Sequence, residues 1–497
     1  MGTVSRVSWT YMEVARLLQN TTSSRRIGLA TFLFLPIALA LPARAQMSLD
    51  SGTSNAFLEL QRSLARENER RLRRDLPTDQ KFQLDAGGWY NSYFYLFDDG
   101  EISSRTLRQN ELRLWASVSA DQGIHTGYAR LRGTYNDWNH GDSFTPNEDD
   151  FDGANLERGW YEFDFAKALR VHGSYNAPFE LKIKLGRDLV NAGTGFAIDL
   201  PLDHVQIKGQ LLSFETTMIL GKVPESTPNI DRSRPVADHS DRSFWILEER
   251  YKGNPNHEPF AYVAWQNDDT SEDPEDWLQN YKYDSSYIGF GSTGQLVANL
   301  RYSTEWVIER GRDYGNKRYM HRDTIKSWGF DHRLDYFFRH KTKPTLSAEY
   351  MFGSGDANRL GSPTNAEGGN QKDYVDRSFS GFGFRDTGIS FSPRISNIHI
   401  WRLGGTIRPL PDYHVTKELE LGTDTYLYYK NKAIAAVSDS LADDPSGYLG
   451  WEVDYYLNYR IFNDLSYTVR FGTFFPGDAF SDQTTRTFLL TGVTWSF

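Results

Sequence analysis

Apolar and polar residues alternate with a period of two along much of this chain. In 465–471 (LSYTVRF), Leu465, Tyr467, Val469 and Phe471 fall on one face, and Ser466, Thr468 and Arg470 on the other. In 451–460 (WEVDYYLNYR), Trp451, Val453, Tyr455, Leu457 and Tyr459 oppose Glu452, Asp454, Asn458 and Arg460; in 486–497, Leu489, Val493, Trp495 and Phe497 oppose Arg486, Gly492, Thr494 and Ser496. Period two is the signature of a strand with two different surroundings. Sustained over roughly ten residues, it matches a tilted strand crossing a bilayer. Comparable segments lie at 105–119, 124–137, 155–167, 178–189, 295–309, 322–339, 344–353 and 414–430, with weaker ones at 82–97, 199–208, 211–222, 240–252, 258–269, 279–292 and 394–408. Together they predict about eighteen strands.

The connections alternate as well. Long ones are expected at 139–153 (NHGDSFTPNEDDFDG), 223–240, 267–277 and 354–393, and tight ones at 208–211 (KGQL), 291–295 (GSTGQ), 408–413 (RPLPDY) and 462–465 (FNDL). A soluble sandwich gives no reason for this alternation, whereas outer-membrane barrels have short periplasmic turns and longer outside loops. The predicted fold is therefore all-β: a closed antiparallel transmembrane barrel over 81–497. In such a barrel no sheet edge can be left in lipid, so the last strand is expected to stay embedded up to its aromatic end at the interface.

Upstream, 27–42 (IGLATFLFLPIALALP) is too short to span as a helix, follows Arg25 and Arg26, and leads into Ala43-Arg44-Ala45. This reads as a signal peptide over 1–45, cut before Gln46, with Met12 as an alternative start and the general secretory route favoured over twin-arginine export. Residues 46–80 form an expected periplasmic extension, with a helix over 55–76 that ends in Arg70, Arg71, Arg73 and Arg74 and is either solvated, a plug, or a dock for an acidic partner.

Composition narrows the picture further. Mean hydropathy is −0.59, too polar for a helical membrane protein. Aromatic residues make up 14% of the chain, too many for disorder. There is no cysteine, so an exported chain has no disulfides to rely on. A net charge of −10 argues against a nucleic-acid partner.

No motif for a metalloprotease, serine hydrolase or nucleotide-binding loop occurs, and the eleven histidines are scattered without metal-ligand spacing. No catalytic residue, cofactor or metal is expected. The acidic 148–153 (EDDFDG) only partly imitates a calcium loop, and solvated acid is its default reading.

The face opposite the apolar one carries Arg113, Arg130, Arg132, Arg301, Arg333, Arg460, Arg470 and Arg486, together with Glu111, Glu162, Asp164, Glu180, Glu305, Asp331, Asp335, Glu418, Glu420, Glu452 and Asp454. Arginine facing hydrocarbon costs about 2–4 kcal/mol at the bilayer midplane, so these side chains must line water or pair internally. Two readings stand side by side: an arginine girdle that admits an anionic solute, and a lattice of cross-strand ion pairs that stiffens the wall.

Four stretches, 471–480 (FGTFFPGDAF), 393–405 (PRISNIHIWRLGG), 374–388 (YVDRSFSGFGFRDTG) and 182–190 (KIKLGRDLV), resemble the alginate-export family of outer-membrane proteins. The resemblance implies an eighteen-stranded monomeric porin that exports an acidic exopolysaccharide through an arginine-lined constriction. By that likeness Arg187, Arg470, Arg385 or Arg394, and more loosely Arg158, stand where the family's conduit arginines do; its terminal phenylalanine is also the pattern that barrel-insertion machinery recognises. The expected function is a passive outer-membrane conduit for an anionic polysaccharide or another acidic solute, lined by these residues with Arg113, Arg130, Arg132 and Arg460. Its expected partners are membrane lipid, the polymer and a periplasmic export component. A general or uptake porin, or a barrel whose N-terminal helix docks a periplasmic partner, are the alternatives.

Overall fold

The computed structural model describes residues 82–497 apart from 99, 101–103, 144–148, 174, 176, 225–240, 270–281, 316–321 and 360–373. The expected signal peptide and the helix over 55–76 lie outside the described residues.

The first wall of the barrel comprises β1 (Phe82–Phe97), β2 (Arg105–Ala120), β3 (His125–Trp138), β4 (Asp149–Asp164), β5 (Phe179–Ala192) and β6 (Ile198–Leu211). The chain continues through β7 (Phe214–Lys222), β8 (Arg242–Tyr251), β9 (His257–Asp268), β10 (Asp284–Val297), β11 (Leu300–Gly315) and β12 (Arg322–Phe337). It ends with β13 (Thr345–Gly353), β14 (Ile398–Ile407), β15 (Leu419–Lys430), β16 (Tyr448–Arg460), β17 (Leu465–Pro476) and β18 (Arg486–Ser496). Each strand pairs antiparallel with its neighbours in sequence, and β18 returns to β1 in a register from Trp89↔Ser496 to Phe97↔Phe488. Eighteen strands thus close into a barrel without a free edge. The final residue is part of the seam: Gly88 N–H donates to the Phe497 carbonyl at 2.8 Å and Phe497 N–H to the Gly88 carbonyl at 2.9 Å.

The alternation sorts the side chains as the sequence predicts. Leu112, Leu114, Leu131, Trp245, Trp265, Leu403, Phe471 and Trp495 are exposed on the outer face, while their neighbours Glu111, Arg113, Arg130, Phe244, Gln266 and Thr494 are buried inside. Several boundaries differ. β4 begins at Asp149, because the ladder with β3 runs out to Asp137↔Asp149, so most of the expected acidic loop is strand. GSTGQ lies within β10, and the chain reverses after Val297 with Asn299 at φ 70°; likewise KGQL ends β6, and Leu212 at φ 55° makes the turn. β15 starts at Leu419, five residues later than the pattern suggested. The sequence pattern also missed α1 (Phe165–Gly173), which follows β4 on the side of the short turns.

The described residues of the connection between β13 and β14, 354–359 and 374–397, turn back into the lumen, where Val375–Asp376 runs parallel to Thr324 and Ile325 of β12 and Phe382 bridges to Ile198. Phe379, Phe382 and Phe391 of this strap are buried against the inner wall, Phe382 edge-on to Phe244 at 5.2 Å and Phe391 stacked on Phe474 at 4.4 Å. The short connection 193–197 also bends inwards and buries Phe196 against Phe379.

Candidate functional site

Three polar clusters line the lumen, each built from alternate residues of adjacent strands. On β2–β5, the Arg113 and Arg130 guanidiniums lie 5.7 and 5.4 Å from the Trp89 ring. Both donate to Glu157, at 2.9 and 2.7 Å, and Arg113 also pairs with Glu111. Glu157 reaches them because β4 bulges there: Arg130 faces Arg158 while Leu131 faces Leu156, leaving Glu157 as the extra residue. Nearby, Arg158 pairs with Asp188 at 3.3 Å and Arg132 with Asp152 at 3.3 Å.

The second cluster joins the strap to the wall. Arg385 donates from Nε to Asp331 at 2.6 Å and from Nη1 to the Thr194 carbonyl at 3.3 Å, with its guanidinium 5.5 Å from the Phe196 ring. Glu305 accepts from the Thr194 amide at 2.6 Å and the Tyr262 hydroxyl at 2.6 Å. Burial opposes the charge on Arg385, but Asp331, Glu305 and Glu349 outweigh it and hold its pKa above the ordinary arginine value.

The third cluster centres on Arg402. Its Nε and Nη2 grip Asp424, both at 3.0 Å; Nη1 reaches Glu349 at 3.2 Å and Nη2 reaches Asp386 of the strap at 3.1 Å. Tyr426 donates to Asp386 at 3.0 Å. Burial would raise the pKa of Asp386, yet Arg402 and Tyr426 keep it below the usual aspartate value. The strap is pinned here by Glu452, which accepts the backbone N–H of Ile389, Ser390 and Phe391 at 2.6, 2.7 and 2.8 Å. Further back, Glu309 accepts Ser380 N–H at 2.9 Å, and Tyr287 and Tyr428 donate to the Ser380 and Thr387 carbonyls at 2.6 and 2.8 Å.

The expected conduit residues therefore separate. Arg113, Arg130, Arg132 and Arg158 gather on one wall, each with a carboxylate. Arg385 stands apart from them on the strap, bound to Asp331 and Thr194. Arg394 is half-buried in the strap, where its amide donates to Ser438 Oγ at 2.9 Å. Arg470 faces the lumen, 4.6 Å over the Tyr456 ring, and donates to Asn458 at 3.3 Å; its Nε is buried without a hydrogen-bond partner. Arg460 stands at the periplasmic end of β16 and donates to Asn463 at 3.2 Å. Arg187 differs from all of these. It shares a face with the exposed Leu185 and is clamped by Asp203 at 2.7 and 2.8 Å, which places it on the outer surface. The apolar run Leu181, Ile183, Leu185, Leu189 carries that signal in the sequence. The glycine before it is a matter of close approach: a Cβ on Gly186, at φ +124°, would lie 2.2 Å from the Gly159 carbonyl oxygen.

Sequence reasoning missed Arg402, Glu349 and Glu157. Arg402 shares its inner face with Ile398 and Ile400, apolar because they pack beneath the strap, so the strand lacks a clean alternation. Glu157 is reachable only through the bulge, which leaves no mark in the sequence.

The motifs that carried the family resemblance turn out to fasten loops. Asn397, at φ 55°, donates to the carbonyls of Lys432, Ala435 and Ala436 at 3.2, 3.1 and 3.0 Å and accepts Lys432 N–H at 2.8 Å, tying the strap to the next outer loop. In the PGDAF stretch, Ala479 N–H donates to the Tyr448 carbonyl at 2.9 Å and Phe480 packs on Phe391.

A closed eighteen-stranded barrel with a lipid-facing apolar surface, a charged lumen and an inward strap is an outer-membrane porin. This one belongs to the alginate-export family, whose sequence model matches residues 89–492. Its fold is similar to the crystal structures of OccK5 (OpdH) of Pseudomonas aeruginosa (12% identity over 84% of this chain and 98% of that one, TM-score 0.52) and OccK11 (OpdR) of the same organism (13% identity, 83% and 96%, TM-score 0.50). At these identities the likeness is one of fold. No curated protein matches the sequence.

Proposed function

We propose that the barrel is a passive conduit for an anionic polysaccharide of the alginate type or another acidic solute. The observation that supports this is the placement of three lumen-facing arginines that form no ion pair among the described residues. Arg470 lies over Tyr456, Arg301 lies 5.2 Å over Phe337, and Arg460 sits at the periplasmic mouth. The arginines nearer the strap are already neutralised by carboxylates. An acidic polymer entering from the periplasm would meet uncompensated cations set among paired ones. That mixture draws the polymer in without holding it, since a few unpaired arginines attract it and the paired ones are shared with carboxylates. No covalent step is required, and direction would come from synthesis or a periplasmic partner.

Reversal potentials across planar bilayers under a salt gradient test this reading. Anion preference that weakens on replacing Arg301, Arg460 and Arg470 by glutamine supports it. Cation preference in the unaltered protein would favour instead a general or uptake porin of the same architecture. A barrel serving mainly to dock a periplasmic partner would keep its conductance when 55–76 are deleted, while losing that partner.

A further inference from the structure

The outer face near the extracellular rim carries charged residues, and most of them are matched. Arg108 pairs with Asp137, Arg187 with Asp203, Lys222 with Asp241 and Arg322 with Asp284, each at 2.7 Å. Such pairing is what a low-dielectric surround demands of a cation. Arg310 and Arg312 of β11 and Lys326 of β12 break the pattern. All three are exposed on the outer face and form no ion pair among the described residues. The register sets Arg310 directly opposite Lys326, so like charges adjoin. The carboxylate opposite Arg312, Asp284, is engaged by Arg322 and by the Asp268 amide at 2.8 Å, while Glu309 and Asp313 point into the lumen and are buried. Among the described residues Arg310 donates to backbone carbonyls alone, of Glu309 at 2.7 Å and Ser327 at 3.4 Å.

Directly below these cations is a continuous aromatic surface on the same face. Trp306 stacks on Trp328 at 6.0 Å and on Phe330 at 4.6 Å, Trp328 meets Phe352 at 4.5 Å, and Tyr350 stacks on Trp401 at 5.0 Å. Lys326 is two residues above Trp328, about 7 Å along the strand. His332 and His399 lie within the patch, bonded to Thr304 Oγ1 and to Tyr350 Oη at 2.8 Å. Aromatic rings with polar tips mark the depth at which hydrocarbon gives way to headgroups. Three unmatched cations therefore stand at headgroup height above an apolar platform.

We infer that Arg310, Arg312 and Lys326 form a binding site for the phosphorylated headgroup of an outer-leaflet glycolipid, whose acyl chains lie on the Trp306–Trp328–Trp401 surface. The guanidiniums suit a phosphate because they present paired N–H donors to it. The like-charged juxtaposition that would otherwise be unfavourable becomes an attractive clamp once the dianion is between them.

The test uses the full chain purified in detergent and exchanged against diphosphoryl lipid A, its dephosphorylated form, or phosphatidylcholine, with bound lipid counted by native mass spectrometry. The unaltered protein is expected to retain diphosphoryl lipid A at least about tenfold better than the dephosphorylated form. The variant R310Q/R312Q/K326Q is expected to lose that preference, whereas K326R retains it and R108Q, which removes a paired outer arginine, leaves it unchanged. Heat-dependent gel mobility and single-channel conductance establish that each variant is folded. Equal retention of the two lipid A forms by the unaltered protein, an unchanged preference in the folded triple variant, or complete displacement by millimolar inorganic phosphate would each overturn the proposal.

Discussion

Two walls of the lumen solve the same electrostatic problem differently. On β2–β5, Arg113 and Arg130 pair with Glu111 and Glu157 of their own wall. On β12–β15, Arg402 is shared between wall carboxylates and Asp386 of the strap, while Arg385 of the strap is held by Asp331 of the wall. The first arrangement stiffens the barrel. The second makes the position of the strap depend on charge, so loss of one ion there should be felt as a change in the pore as well as in stability.

The largest effect is expected from Glu452→Ala. It removes the acceptor for three consecutive strap amides, each costing about 1–3 kcal/mol when left buried and unpaired. Single-channel recording should show a higher and noisier conductance; a trace identical to the unaltered protein would mean the strap is held elsewhere. Next comes Arg402→Met, which strands Asp424 and leaves Glu349 only Arg333 at 3.7 Å, at a cost of roughly 3–5 kcal/mol if they stay ionised. A double-mutant cycle with Asp386→Asn should give a coupling of about 0.5–3 kcal/mol in thermal unfolding, and additivity would deny the link between wall and strap.

Arg113→Gln should sharpen the contrast. Glu157 keeps Arg130, so destabilisation is expected nearer 1–3 kcal/mol, with conductance unchanged. If conductance shifts as much as in Arg402→Met, the two walls are not distinct.

The smallest effect concerns pH. Arg402 and Tyr426 depress the pKa of Asp386, so its contribution to strap docking is fully present above the unfolded aspartate value of about 3.9 and is lost as pH falls through the lower folded value. Conductance should therefore hold steady down to about pH 4 and rise only below it, and Asp386→Asn should abolish that part of the rise.

Much of this architecture was legible because lipid enforces it. A residue that faces hydrocarbon must be apolar and its neighbour need not be, so strand number, face and the inward placement of Arg113, Arg130 and Arg470 followed from spacing alone. The exceptions are instructive. At Ile398 and Ile400 the strap supplies an apolar surface inside the barrel and blurs the alternation. At Gly291 and Gly294, turn-forming residues lie within a strand because the ladder with β9 and β11 continues past them. Family likeness points Arg187 inwards, whereas the alternation of its own strand places it outside.

Period-two patterning and the alternation of long and tight connections thus determined a barrel, its strands and their two faces, since each is a local response to lipid on one side and water on the other. Which carboxylate neutralises which arginine, where the strap lies and which outer cations are left unmatched were decided only by the closed tertiary structure. Those pairings join residues far apart in the chain, such as Arg385 with Thr194 and Ile389 with Glu452. Coulombic attraction fixes no partner until barrel closure brings the candidates within reach.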